Sequence, residues 1–267
     1  MLTKRMVGAL ALLPALVQVS SGPVSRLTTT RMSVRQHAPL RFHGMRADGT
    51  MESENWSGYA VTGASFTQAL GSWIVPTVNC TSTPNTYSSF WVGLDGYSSS
   101  TVEQTGTDSD CYGTSPSYYA WYEFYPQGSY LINLAISPGN KISAEVNYSG
   151  SSFTVTITNV TTGKSFSKTS TVSGAKRSSA EWIAEAPCCT RSGGILPLSD
   201  FGTVDFGDSY TGVANTNYAT ETSTSGSMSA FGSALQEIIM VSSKGAEEAL
   251  PSALSGGTGF TVGWKSE

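Results

Sequence analysis

Two short stretches carry the residue types that could do chemistry. Ala180–Glu185 reads Ala-Glu-Trp-Ile-Ala-Glu, and Val102–Gly106 reads Val-Glu-Gln-Thr-Gly. The first has the two-residue period of a half-buried strand, with Glu181, Ile183 and Glu185 on one side and Ala180, Trp182 and Ala184 on the other. A carboxylate near the end of such a strand, beside aromatic rings, is a candidate general base. The plainer alternative is a glutamate on a wet sheet face.

Two kinds of carboxylate chemistry fit. Glu181 and Glu185 have Cα atoms roughly 13 Å apart along one strand face, and side chains leaning together could approach the ~5 Å of a retaining glycosidase pair. Sandwich-type glucanases use Glu-x-Asp-x-Glu on one strand. Here Ile183 holds the middle position and cannot orient the flanking carboxylates. The second is a glutamate paired with an amide. The glutamate takes a proton from water while a neutral glutamine donates to the developing oxyanion, and an amide keeps its donors at any pH.

An absence narrows the field. The only histidines, His37 and His43, precede the expected start of the mature body near Thr50. That excludes Ser-His-Asp and Cys-His machinery in the body, and His-based zinc hydrolysis with it. There is no Cys-x-x-Cys, no Walker pattern and no dinucleotide fingerprint, so neither metal nor cofactor is expected.

The elements that must position these residues read as nearly all β. Alternating runs at Ser88–Leu94, Tyr118–Tyr125, Lys141–Tyr148, Ser152–Asn159, Ala180–Glu185, Gly202–Phe206 and Glu237–Ser242 lie between Gly, Pro, Asn and Ser punctuation. Only Ser233–Ile239 competes as a helix. Many strands without a βαβ rhythm predict an antiparallel two-sheet β-sandwich. Of the three pairings open to Cys80, Cys111, Cys188 and Cys189, Cys80–Cys111 is the first choice. The adjacent Cys188 and Cys189 are expected to leave one or both thiols free.

Charge divides the chain. Residues 1–50 hold seven basic residues against the single acid Asp48, whereas residues 51–267 hold eight basic and eighteen acidic ones. Lys4 and Arg5 followed by the apolar run Met6–Val17 read as a secretory signal over residues 1–24, too short for a span. Residues 25–49 read as a basic propeptide held on the acidic body by opposite charge and released when carboxylates protonate near pH ~4. A disordered tail is the alternative. Residues 50–267 are long enough for one domain. Charged residues make up 13% of the chain, about half the usual share, which suits a protein that stays folded in acid. Nucleic-acid binding by so short an arm on an acidic body is not expected. Export and a monomeric state are.

Six motifs, in order along the chain, carry a resemblance. They are Asn55-Trp56-Ser57-Gly58, Trp91-Val92-Gly93-Leu94-Asp95-Gly96, Glu103-Gln104-Thr105-Gly106, Ala120-Trp121-Tyr122-Glu123-Phe124-Tyr125-Pro126, Ala180–Glu185 and Phe201-Gly202-Thr203-Val204-Asp205-Phe206. Together they resemble the glutamic peptidases, or eqolisins, which are acid-acting and pepstatin-insensitive endopeptidases. The resemblance implies a lectin-like (concanavalin-type) jelly-roll sandwich, polypeptide substrates and a propeptide lost in acid. Gln104 and Glu185 match the catalytic pair, leaving Glu181 as a supporting or surface residue. Trp56, Trp91, Trp121 and Tyr125 match aromatic positions lining the family's cleft, and Asp95 and Glu123 match acidic positions. Two other readings stay open: a glycoside hydrolase using Glu181 and Glu185, and a non-catalytic glycan-binding module.

Overall fold

The computed structural model describes residues 29–31, 35–188, 193–222 and 224–267. The expected signal segment 1–24 and Cys189 lie outside the described residues. The chain forms two packed antiparallel sheets with little helix. In the first, the strands run in the order Tyr130–Ile132, Ser115–Tyr125, Val102–Tyr112, Ser89–Leu94, Ser179–Glu185, Trp56–Thr62 and Leu235–Val241. The second sets Lys164–Ser170, Ser152–Asn159, Lys141–Ser149 and Phe66–Ile74 side by side. Tyr218–Glu221 and Thr203–Phe206 pair with the two ends of Phe66–Ile74. Glu247–Pro251 pairs with Leu235–Val241 of the first sheet and with Phe260–Trp264, so the layers are continuous at one edge. Among the described residues no helix is long and apolar enough to cross a membrane.

Alternation decides which side chains meet. Ala180, Trp182 and Ala184 turn inward with Phe90, Val92 and Leu94, into a core that also holds Trp73, Ala144, Val146 and Phe206. Two indoles tie the layers: Trp182 Nε1 donates to Leu70 O at 2.7 Å and Trp73 Nε1 to Thr107 Oγ1 at 2.8 Å. Burying these donors with partners avoids a desolvation cost of ~1–3 kcal/mol each. Gly71 sits beneath Trp182 and Val92, where a Cβ would come within 3.1 Å of both side chains. The Cys80–Cys111 disulfide forms and staples the loop after Phe66–Ile74 to the end of Val102–Tyr112.

Most strand expectations hold within a residue or three. The segment read as a possible helix splits: Met228–Ala234 is a 3-10 helix, and Leu235–Val241 is a strand that pairs with Trp56–Thr62 and, in parallel, with Met51–Ser53. Tertiary pairing overrides local propensity there. One cysteine expectation needs correcting, since Cys188 is disulfide-bonded rather than free.

Candidate active site

The outer face of the first sheet carries the chemistry, and its register sets the geometry. Glu185 stands level with Ser89, Asp108 and Tyr119, Ile183 with Trp91, Gly106 and Trp121, and Glu181 with Gly93, Gln104 and Glu123. Glycines in this floor let indoles lie on it. A Cβ on Gly93 would stand 2.9 Å from Trp91, and one on Gly106 would meet Phe90 O at 2.4 Å and Trp121 at 2.9 Å. A second apolar cluster forms above the floor from Trp56, Trp91, Trp121, Val102 and Ile183, with Tyr125 packed against it. Trp56 and Trp91 meet edge to face at 4.9 Å.

Gln104 and Glu185 are both fully buried. Trp91 Nε1 donates to Glu185 Oε2 at 2.8 Å, and Gln104 Nε2 donates to Glu123 Oε2 at 3.2 Å. Burial, with the Glu123 carboxyl as the next cause, holds Glu185 well above the ordinary carboxylate range, against the pull of the Trp91 donor. Burial likewise raises Glu123 and Asp108.

Part of the basic segment lies across this face. Gln36 and Cys188 exchange backbone hydrogen bonds at 2.7 and 2.9 Å, so the segment docks as a short β-bridge. The His37 ring stacks on Trp121 with centroids 3.6 Å apart and planes 6° from parallel. Its Nδ1 lies 3.3 Å from Glu185 Oε2, its backbone amide donates to Glu123 Oε2 at 2.9 Å, and its carbonyl accepts from Gln104 Nε2 at 2.6 Å. The Gln104 amide can face only one way here, because both of its partners are acceptors. Burial, then the nearby Arg35 charge, lowers the His37 pKa well below its usual value. Both directions work against an ion pair between the ring and Glu185. Arg35 itself is buried, bonded to Asp110, Tyr119 and Tyr112 and stacked 4.1 Å over the Tyr87 ring.

Sequence reasoning did not single out Arg35, His37, Asp108, Asp110 or Tyr119 for this site. A signal existed: Gln104, Gly106, Asp108 and Asp110 alternate, which puts every one of them on the same strand face. Of the expected site residues, Gln104, Glu185, Trp56, Trp91, Trp121, Glu123 and Tyr125 come together. Asp95 does not join them. It sits at a positive-φ turn (70°) and accepts from the backbone amides of Lys176, Arg177 and Ser178 at 2.7–2.9 Å, pinning the approach to the Ser179–Glu185 strand. Glu181 is neither at the surface nor paired with Glu185. It is fully buried, and the acids that act on it are Asp95 and Glu103.

A two-sheet sandwich with a buried glutamate and glutamine on one outer face defines the class of the glutamic peptidases. The Peptidase A4 family profile matches residues 54–246, and the chain belongs to that family. It is 33% identical over 192 residues to Aspergillopepsin-2 of Aspergillus niger, a match covering 61% of this chain and 66% of that protein's length. The structure of scytalido-glutamic peptidase with a transition-state analogue inhibitor superposes with a TM-score of 0.66 at 27% identity, over 79% of this chain and 98% of that one. The structure of SCP-B, a member of the eqolisin family, in a complex with the tripeptide Ala-Ile-His gives 0.63 at 26%, with the same shares of the two chains.

Proposed function

We propose that this chain is a secreted, acid-acting, pepstatin-insensitive endopeptidase that uses Glu185 and Gln104 as its catalytic residues and is made as a zymogen. One observation carries the reading: a stretch of polypeptide already lies on the site with a peptide carbonyl 2.6 Å from Gln104 Nε2. Solved structures of family members hold a peptide-based transition-state analogue or a tripeptide, ligands of the same chemical kind.

With the segment gone, water reaches Glu185, and its pKa falls back toward the carboxylate range as the burial that raised it is relieved. The ionised Glu185 takes a proton from water while the water oxygen attacks the peptide carbonyl. Gln104 Nε2 donates to the oxyanion. Glu185 then passes its proton to the departing amine, giving a carboxylic acid and an amine. Trp91 Nε1 favours the ionised form of the base, and the Trp121 face takes the side chain on the acyl side, as it takes His37 here.

The glucanase alternative has less support. Glu123 and Asp108, not Glu181, are the acids that act on Glu185.

The test is digestion of denatured protein at about pH 3 and pH 7, with and without pepstatin, beside Glu185→Gln and Gln104→Ala. Cleavage in acid only, unaffected by pepstatin and lost in both variants, supports the proposal. An activity that survives Glu185→Gln overturns it.

A further inference from the structure

We propose that the bond this chain cuts first in itself is His37–Ala38, so that processing creates Ala38 as a new N-terminus. The inference rests on the endopeptidase reading above and deepens it by naming the bond.

The segment is held as a substrate would be. Arg35 O accepts from Ser129 Oγ at 3.1 Å and His37 N donates to Glu123, while beyond the bond Ala38 O accepts from Trp56 Nε1 at 3.1 Å. Asn55 grips the next turn of chain, with Nδ2 on Pro39 O at 3.3 Å and Oδ1 on Arg41 N at 2.8 Å. Leu40 N donates to Gly96 O at 3.0 Å. Backbone contacts on both sides therefore fix the register, and within it one carbonyl, that of His37, meets a group of the catalytic pair. Glu185 lies beside the same bond. The amide nitrogen of Ala38, on the far side of that bond, is the atom that must leave as an amine.

The step balances as a hydrolysis. The oxygen of one water bonds to the His37 carbonyl carbon, and the His37 C–Ala38 N bond breaks. One water proton passes through Glu185 to the Ala38 nitrogen, leaving a carboxyl at His37 and an amine at Ala38. In the docked state the imidazole occupies the approach to Glu185 Oε2, so the registered bond stays uncut. The ring stacked on Trp121 has to move off Glu185 Oε2 before a water can reach that oxygen. After the cut, residues from Ala38 onward stay with the body. Phe42–Met45 pairs with Met51–Ser53, and Arg46 bridges Glu52 and Glu247. This places the first break twelve residues before the expected boundary at 49/50.

The experiment acidifies the purified full chain to about pH 3.5 and reads the new terminus by intact mass and N-terminal sequencing, beside Glu185→Gln and Ala38→Pro. Casein hydrolysis is followed in the same samples. In parallel, the processed enzyme is given a synthetic peptide of residues 35–41, a readout independent of whether the Ala38→Pro chain folds. Expected are a chain starting at Ala38, no such product from Glu185→Gln, and cleavage of the peptide into Arg-Gln-His and Ala-Pro-Leu-Arg. A first terminus elsewhere, with casein hydrolysed, overturns this inference and leaves the endopeptidase reading standing. A terminus at Ala38 in Glu185→Gln overturns self-cleavage. No hydrolysis of chain, peptide or casein removes the endopeptidase reading and the inference with it.

Discussion

Trp91 and Glu185 are joined by a single hydrogen bond, Nε1 to Oε2 at 2.8 Å, and it is the strongest single influence favouring the ionised form of a carboxyl that burial pushes the other way. Trp91→Phe removes the donor and keeps most of the ring. A hydrogen bond to a charged group contributes about 1.5–3 kcal/mol, so the variant should lose roughly 10- to 100-fold in kcat/KM at pH 3. Its acidic limb should move to higher pH, because Glu185 becomes harder to ionise. A pH–rate profile on a short peptide checks this, and an unmoved acidic limb refutes it.

Gln104 donates to a carbonyl and to the Glu123 carboxyl from one nitrogen. Gln104→Ala deletes the donor proposed for the oxyanion and should lower kcat by about 10²–10³-fold. Gln104→Glu is expected to be at least as damaging, since it sets a third acid against Glu123 and Glu185. Circular dichroism unchanged from the parent would assign the loss to chemistry rather than to unfolding.

Stability should fall as pH rises. Glu103 and Glu181 are buried with no cation acting on them, the hydroxyls of Thr101 and Ser179 offsetting part of the burial cost. Burial, with Asp95 as the second cause, raises Glu103 to about 9, and burial raises Glu181 well above its ordinary value. An acid whose folded pKa exceeds its unfolded value contributes fully below the unfolded pKa and loses that contribution as pH climbs toward the folded one. For Glu103 the window opens near 4.5 and extends to about 9, and by pH 7 the loss is at most about 3 kcal/mol. Glu103→Gln and Glu181→Gln should each raise the melting temperature at pH 7 while leaving it nearly unchanged at pH 3. Equal shifts at both pH values would show that ionisation is not the cause.

Docking of the basic segment should weaken in acid through His37. Its ring stacks on Trp121 with Glu185 at Nδ1 and Glu123 at its backbone amide, and burial with the Arg35 charge holds its pKa well below 6.5. A depressed histidine opposes docking once pH drops below the free value, by up to tenfold per pH unit until the docked pKa is reached. Burial of Glu185 and Glu123 pulls the other way. In a peptide of residues 35–41, replacing His37 by Phe keeps the stacking and removes the titration. Binding of the uncut parent peptide to the Glu185→Gln variant should fade from pH 6.5 downward relative to the Phe peptide. Parallel curves would exclude His37 as the sensor.

Period-two alternation made many of the strands legible, and with them the face on which Glu185 stands, whereas the strand that carries Gln104, Val102–Tyr112, was not among those read. The six ordered motifs carried the family. The fate of the acids was not legible. Asp95, Glu123 and Glu181 look alike in sequence, yet one pins a turn, one meets Gln104 and one is buried among acids. Which of these a carboxyl does depends on neighbours from strands far apart in the chain, and those neighbours are set by register.

The basic segment shows the same division. Its charge contrast with the body is a property of composition, readable without coordinates. That His37, excluded from the body's chemistry by its position, would lie between Gln104 and Glu185 required the tertiary structure. The amino-acid sequence alone determined the class of fold and narrowed the available chemistry to carboxylates and an amide. Packing decided which peptide bond meets them, because long-range register and burial, unlike alternation, are not local properties of a chain.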